Sequence, residues 1–586
     1  MNSIFPMGRR RRPIMRSLAL GLALGMAACN QSGGSSNNPS AEDDGATTDP
    51  PPPTVSGVPE VEYEPLTPER RLLRASMSLR GTRPSVAEYD AVAQDPAAYD
   101  SIVDEYLQQP AFTAMVRQHF TEWMELDQAP DVYPAGFPAV DDLAGVPTHM
   151  LNTSVIEAPG RLAEYIVDND RPWSEVVTAD YTLADEIVAT VWGLSYDWNS
   201  SGWQVTTYED GRPLAGVLSD GWVFTRMPST ENNRNRERAA LVANSLVCHD
   251  YPGRPVVIPP DIDLTDEAAI ANAIEDNDVC VGCHQTLDPL ASAFSVHYGL
   301  RLPGYETSYP LVQYTPEVAQ DYEPPAWYGV PVTDLRHLGQ LIAEDPRFSI
   351  CAVRRFYSEL MHVPVEEVPQ EAIARYLPVF TGTDMNVRSL VRAIVRSEEY
   401  GAVRAEPGME ADAAPVVVRR ATPQQLDTLM LDLTGFRWMA QVDFDLGVGT
   451  VGEVPLMRDY LWGYRTLAGG PNNFDTTTHL RTADPGSLLV LRALAERSAR
   501  TAVEGAGGDG ALISVPNAID GDPDAVREQL IALHLRLLGE RVQGGDPALD
   551  DSEALYLAAW EASGDGRRAW EITLAALLQD PAVLYY

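Results

Sequence analysis

Cys280-Val281-Gly282-Cys283-His284 carries the densest chemistry in this 586-residue chain. Two thiols two residues apart, with an imidazole directly after the second, form the attachment pattern for c-type haem. Each thiol can add across one vinyl group of the porphyrin. The adjacent His284 is then held beneath the ring, where a ring nitrogen can bind iron. The whole chain holds only five Cys and nine His, so a chance assembly of this pentapeptide is rare.

The sixth iron position would set the chemistry. Met361 lies farther along the chain and is a candidate thioether ligand, which would favour reduced iron. The competing reading is a core Met at a helix end. His297 and His362 are further candidates, and an open sixth position would admit peroxide or small gases. A rival metal reading uses Cys248, His249, Cys280 and Cys283 as a zinc set, with His284 left over. Redox work by free thiols lacks the flanking strand and helix that it needs.

The start of the chain concerns cellular address. Arg9 to Arg12 are basic, and the short apolar run from Ser17 ends in Gly25-Met26-Ala27-Ala28-Cys29. This pattern reads as a lipoprotein signal peptide over 1–28, with Cys29 as the acylated residue. Asn30 after the Cys favours outer-membrane over inner-membrane anchoring. Residues 29–60 are rich in Ser, Asn, Asp and Pro and read as a disordered tether. The expected location is the cell envelope, by lipid anchor only. Cys248 and Cys351 remain, and an oxidising compartment favours a disulfide between them over two buried thiols.

Net charge is −41, which argues against nucleic acid as a partner. It suits either a basic redox protein partner or simply a well-solvated surface. Arg226, Arg234, Arg236 and Arg238 form a basic cluster that could neutralise haem propionates, dock an acidic partner, or open the helix that follows. Trp192, Trp198, Trp203 and Trp222 could line a groove or fill a core. Asp520, Asp522 and Asp524 alternate as calcium ligands do, but Asp522-Pro523 reads better as a helix cap.

The elements that must position these groups are mainly α-helical. Thr67-Pro68-Glu69 caps a helix that stops near Gly81, and Ser85 to Glu88 forms a capping box for the next. Trp203, Val205 and Thr207 alternate before Asp210-Gly211, which predicts a β-hairpin insertion. A weak repeat runs over 71–112, 351–400 and 529–586. It predicts three-helix units that stack to bury their faces. The expected divisions are 61–240, a helical domain with the hairpin; 241–401, the haem-binding helical domain; 402–414, a linker; and 415–586, a C-terminal helical domain.

The motif continues as CVGCHQTLDPLASAF, and PWSEVVTADYTLADEIVATVWGL precedes it at 172–194. With GRPLAGVLSDGWVF, RNRERAALVANSLVCHDYPGRPV and the run from ICAVRRFYSELMH to LVRAIVRSEEY, this resembles the planctomycete-type bacterial cytochrome-c-like proteins. That family is assembled from domains of unknown function, and the resemblance spans roughly residues 65 to 400. It implies haem c and export, and it gives no settled reaction. By resemblance to cytochromes c, a Pro289 carbonyl is expected beside the His284 ring, and Asp288 either caps or braces the turn after the motif or forms with Pro289 a plain turn signal. Ala291 stands where the family has Gly, and Met361-His362 where it commonly has Gly-Arg. The leading expectation is one-electron transfer through a single haem. The alternatives are a haem enzyme with an open sixth site, or a structural or ligand-binding lipoprotein stabilised by haem or zinc.

Overall fold

The computed structural model describes residues 63–127, 141–227, 233–253, 262, 265–295, 309–312, 314–316, 322–405, 419–443, 451–459, 463–471, 478–508 and 510–586. The signal-peptide, lipidation and tether readings therefore lie outside the described residues, as does His297. Among the described residues helix dominates, and the strands are short antiparallel pairs. Residues 61–586 cluster as one compact unit. No helix among the described residues is long and apolar enough to cross a membrane.

The caps act as the sequence predicts. Thr67 accepts from the Arg70 amide, and Gly81 closes the helix Pro68–Arg80 in the left-handed region. Ser85 and Glu88 form a reciprocal capping box on Val86–Gln94. Asp522 caps Pro523–Leu533, so the Asp520–Asp524 alternation belongs to a helix start.

The weak repeat is visible as three helical triplets. They are Pro68–Arg80 with Val86–Gln94 and Ala98–Gln108; Pro346–Met361 with Gln370–Gly382 and Val387–Val395; and Pro523–Leu533 with Pro547–Ser563 and Gly566–Leu577. In the third triplet a π-helical turn, His534–Leu538, extends the first helix. Each leading helix ends in a left-handed residue: Gly81, His362 and Gly539. His362 thus takes a conformation that glycine adopts more readily.

The first triplet bonds to both of the others. Toward the second, Tyr99 donates to the Val395 carbonyl at 2.8 Å, and Arg392 and Arg396 both reach Asp104. Toward the third, Arg536 donates to the Arg83 and Pro84 carbonyls, and Arg541 reaches Asp90 and Glu69. Two hydrophobic cores follow from this. Leu72, Ala75 and Leu79 enter one built from residues up to Tyr400. Leu73, Met77 and Tyr89 enter the other, built mostly from residues after Ala421. Adjacent helical positions point about 100° apart, so one helix can serve both.

Polar side chains tie the cores together. Glu122, on the helix Pro110–Trp123, accepts from Gln424 at 3.1 Å and lies 3.0 Å from His479 Nε2. Arg465 pairs with Asp127 close by. Burial would raise the Glu122 carboxyl, but the charge and hydrogen bond of His479, with Arg465 and His119, outweigh it and bring it down to about 2. For His479, burial would lower the imidazole, and Glu122 more than compensates, so it rises above its ordinary value.

The predicted hairpin is not formed. Gln204–Thr206 pairs antiparallel with Thr182–Ala184, upstream, and not across Asp210-Gly211. Asp210 instead salt-bridges Arg212 at 2.6 Å and accepts the Tyr314 amide at 2.9 Å. Ala402–Ala405, at the head of the expected linker, is a strand paired with Tyr63–Pro65. The rest of the linker, residues 406–414, lies outside the described residues.

Two outcomes test this architecture. At Gly539 φ is +67°, and an added Cβ would lie 2.7 Å from the Leu73 side chain. Gly539→Ala should therefore lower unfolding free energy by about 1–3 kcal/mol, read by denaturant titration. For the Glu122–His479 pair, the carboxylate's contribution is present above pH 4.5 and fades as pH falls towards 2. The imidazole's contribution is present below pH 6.5 and fades as pH rises through its raised value. Glu122→Gln should cost about 3 kcal/mol near pH 5.5, and the gap from wild type should shrink on acidification to pH 3. A gap that stays constant would show that the pair carries no charge.

Candidate functional site

The Cys280–His284 motif lies on the helix Asp278–Ser292, capped by Asn277, whose side chain accepts from the Val279 amide. Positions i, i+3 and i+4 share a helical face, so Cys280, Cys283 and His284 line up on one stripe. The stripe continues through Leu287 and Ala291, which are buried with Leu290 and Phe294 in the first core. Phe294 meets Phe224 edge-on at 5.9 Å. One stripe is thus sealed at its C-terminal half and half-exposed at the motif, where Cys280, Cys283 and His284 are all intermediate in burial. A Cβ built at Gly282 would meet nothing within 4 Å. Both motif cysteines are unpaired.

His284 Nδ1 lies 3.0 and 3.1 Å from the two oxygens of Asp288, one turn later. The acceptor is therefore the Asp288 carboxylate, where the resemblance implies the Pro289 carbonyl. Pro289 sits inside the helix, which runs on past the motif. Asp288 also receives Arg236, Nε at 2.6 Å and Nη2 at 2.7 Å. Burial would raise the Asp288 carboxyl, but hydrogen bonds from His284 and Arg236 outweigh it and hold it below the ordinary carboxylate range. These residues fit a haem c: two free thiols and an imidazole on one half-covered stripe, with Nδ1 occupied so that Nε2 is the nitrogen left to face a metal.

Arg236 opens the helix Arg236–Val247. The far end of that helix is stapled, because Cys248 and Cys351 are joined by a disulfide. Arg355, on the Cys351 helix, adds bonds to the Asn244 and Ser245 carbonyls at 2.8 and 2.9 Å. The disulfide consumes the Cys248 thiol, which removes it from the zinc set with His249, Cys280 and Cys283. Among the described residues no group of three or more His, Cys, Asp or Glu gathers as metal ligands. Tyr251 reaches the motif helix through Thr286 at 2.9 Å, and its ring packs on His249.

Met361 ends the helix Pro346–Met361, buried, with its sulfur 3.6 Å from Arg419. The motif helix packs chiefly on Glu267–Asp276, Arg236–Val247 and the strand Ala326–Trp327, and the helix that ends at Met361 packs on Gln370–Gly382 and on the same Arg236–Val247. His362 turns towards Tyr586, 3.4 Å away, and burial with nearby Arg419 drives its imidazole well below its ordinary value.

Of the basic cluster, Arg236 contacts the motif helix through its ion pair with Asp288. Arg238 is fully buried and donates to the Phe224 and Met227 carbonyls. Arg226 donates to the Glu125 carbonyl. Neither is placed to meet a propionate or a partner. Trp192 and Trp222 are core residues, Trp203 lies under Arg161, and Trp198 is exposed, so the four do not line one groove.

The fold so defined is mainly α. A family model described as a protein of unknown function (DUF1592) matches residues 82–194. That span begins after the first helix and ends just past Gly193, so it takes in the TADYT segment and stops short of the helix that carries Cys280 to His284. It supports a domain of unknown function and says nothing of haem. No curated protein matches, and no solved structure matches.

The cysteine states give a direct count. In a Cys29→Ser chain made without haem, denatured and unreduced, an alkylating reagent should add to two cysteines, Cys280 and Cys283. After reduction it should add to four. Four adducts without reduction would mean that the staple is absent.

Proposed function

We propose that this chain is an exported, lipid-anchored cytochrome-like protein that carries one covalent haem c and passes single electrons to a redox protein. The observation that supports it is the half-covered stripe bearing Cys280, Cys283 and His284. The two thiols would hold the porphyrin through thioether bonds, and His284 Nε2 would face the iron. Bound there, haem c would supply a one-electron couple. The chain's own part is to orient the imidazole through Asp288 and to shield one side of the site with Leu287, Leu290 and Phe294. The reading rests on His284 and not on Met361, whose sulfur sits against Arg419. The proposed location is the periplasmic or outer-membrane surface, with Cys29 acylated. The excess of acidic groups over basic ones suits a basic partner that arrives by electrostatic steering.

Co-expression with haem-attachment machinery tests this. The denatured protein should keep a Soret band, give a haem c pyridine haemochrome, and show no alkylation of Cys280 or Cys283. A Cys280→Ala/Cys283→Ala chain should lose all covalent haem. Colourless wild-type protein with both thiols free would overturn the proposal. Carbon monoxide binding by reduced protein would move it to a haem enzyme with an open sixth position.

A further inference from the structure

His284 has two ring nitrogens, and the structure commits one of them. Asp288 takes Nδ1 within a single helical turn, and Arg236 grips both Asp288 oxygens from a second helix. A bidentate guanidinium–carboxylate pair fixes direction as well as distance. Its outer end is not free to drift, since the Arg236 helix is tied to its neighbour at Cys248–Cys351 and by Arg355. The motif requires none of this. A backbone carbonyl would be enough to give Nδ1 a hydrogen-bond acceptor.

A carboxylate is the stronger acceptor. It draws the Nδ1 proton, leaves Nε2 more electron-rich, and so makes the imidazole a better donor to a metal. A more basic axial ligand favours the oxidised iron. Arg236 tempers this by sharing the negative charge, yet the carboxylate that it holds is still an anion, where a backbone carbonyl is neutral. We infer that Asp288, braced by Arg236, is a positioning residue that holds His284 as a strongly donating ligand and sets the bound haem at a low potential, as an electron donor to its partner. This rests on the haem reading above, and it predicts the opposite poise from a Met-ligated site.

Haem-loaded protein tests it by redox titration and by resonance Raman of the iron–histidine stretch. Asp288→Asn should raise the midpoint potential and lower the stretching frequency. Asp288→Glu, which keeps a carboxylate, should restore part of both. Arg236→Gln should shift the potential less and broaden the stretch, because the acceptor remains but its direction loosens. Nitrogen-15 NMR of the haem-free chain reads the same contact without iron. His284 should hold its proton on Nδ1, and Asp288→Asn should redistribute it. Unchanged potential and stretch in haem-loaded Asp288→Asn would overturn the inference and leave the haem reading standing. If Asp288→Asn loads no haem, an unshifted His284 tautomer in its apo chain would overturn it instead. A wild-type chain that takes up no haem would overturn both.

Discussion

The ion pair between Arg236 and Asp288 is the constraint on which the site depends. A charged pair removed from water is favourable only when its geometry is good and its remaining lone pairs are used. Both conditions hold here: two short bonds join the fork to the carboxylate, and His284 uses what is left. The pair also fixes which helices must be neighbours. The motif helix is tied to the helix that begins at Arg236, and that helix is tied through Cys248 to Cys351. A local sequence motif is thereby oriented by residues far from it along the chain.

The second organising feature is the sharing of the helix Pro68–Arg80 between two cores. Leu72 and Leu73 are successive residues, each fully buried, and each belongs to a different core. The triplets on either side are therefore coupled through one helix and not through a flexible joint. The polar seam of Glu122, His479, Gln424, Arg465 and Asp127 reinforces that coupling with charge. Such a frame gives the motif helix a firm base, because Leu287, Leu290 and Phe294 are anchored in the first of these cores.

Much of this was legible in the sequence, and the failures have physical causes. Caps at Thr67, Ser85 and Asp522 were readable because capping is local chemistry over three residues. The triplets were readable from recurring helix ends, although His362 disguises one of them. The hairpin was misread because Asp210-Gly211 looks like turn chemistry, while Asp210 is in fact spent on Arg212 and Tyr314. The strand then found Thr182–Ala184, a partner that alternation cannot name. At the site, the thiols and imidazole were evident from spacing. The role of Asp288 was missed although its signal was present: His284 and Asp288 stand four apart, which in a continuous helix places them on neighbouring positions. The expectation of a turn at Asp288-Pro289 obscured it. Arg236 as the partner could not be read, since only the folded chain brings position 236 to position 288.

The central claim is that the motif on Asp278–Ser292 carries a covalent porphyrin. Protease digestion of the protein purified from its own cell envelope, followed by mass spectrometry, tests this most directly. The peptide containing Cys280 to His284 should carry the added mass of one haem and absorb in the Soret region. The same peptide recovered at its plain mass, with both thiols open to alkylation, would contradict the account.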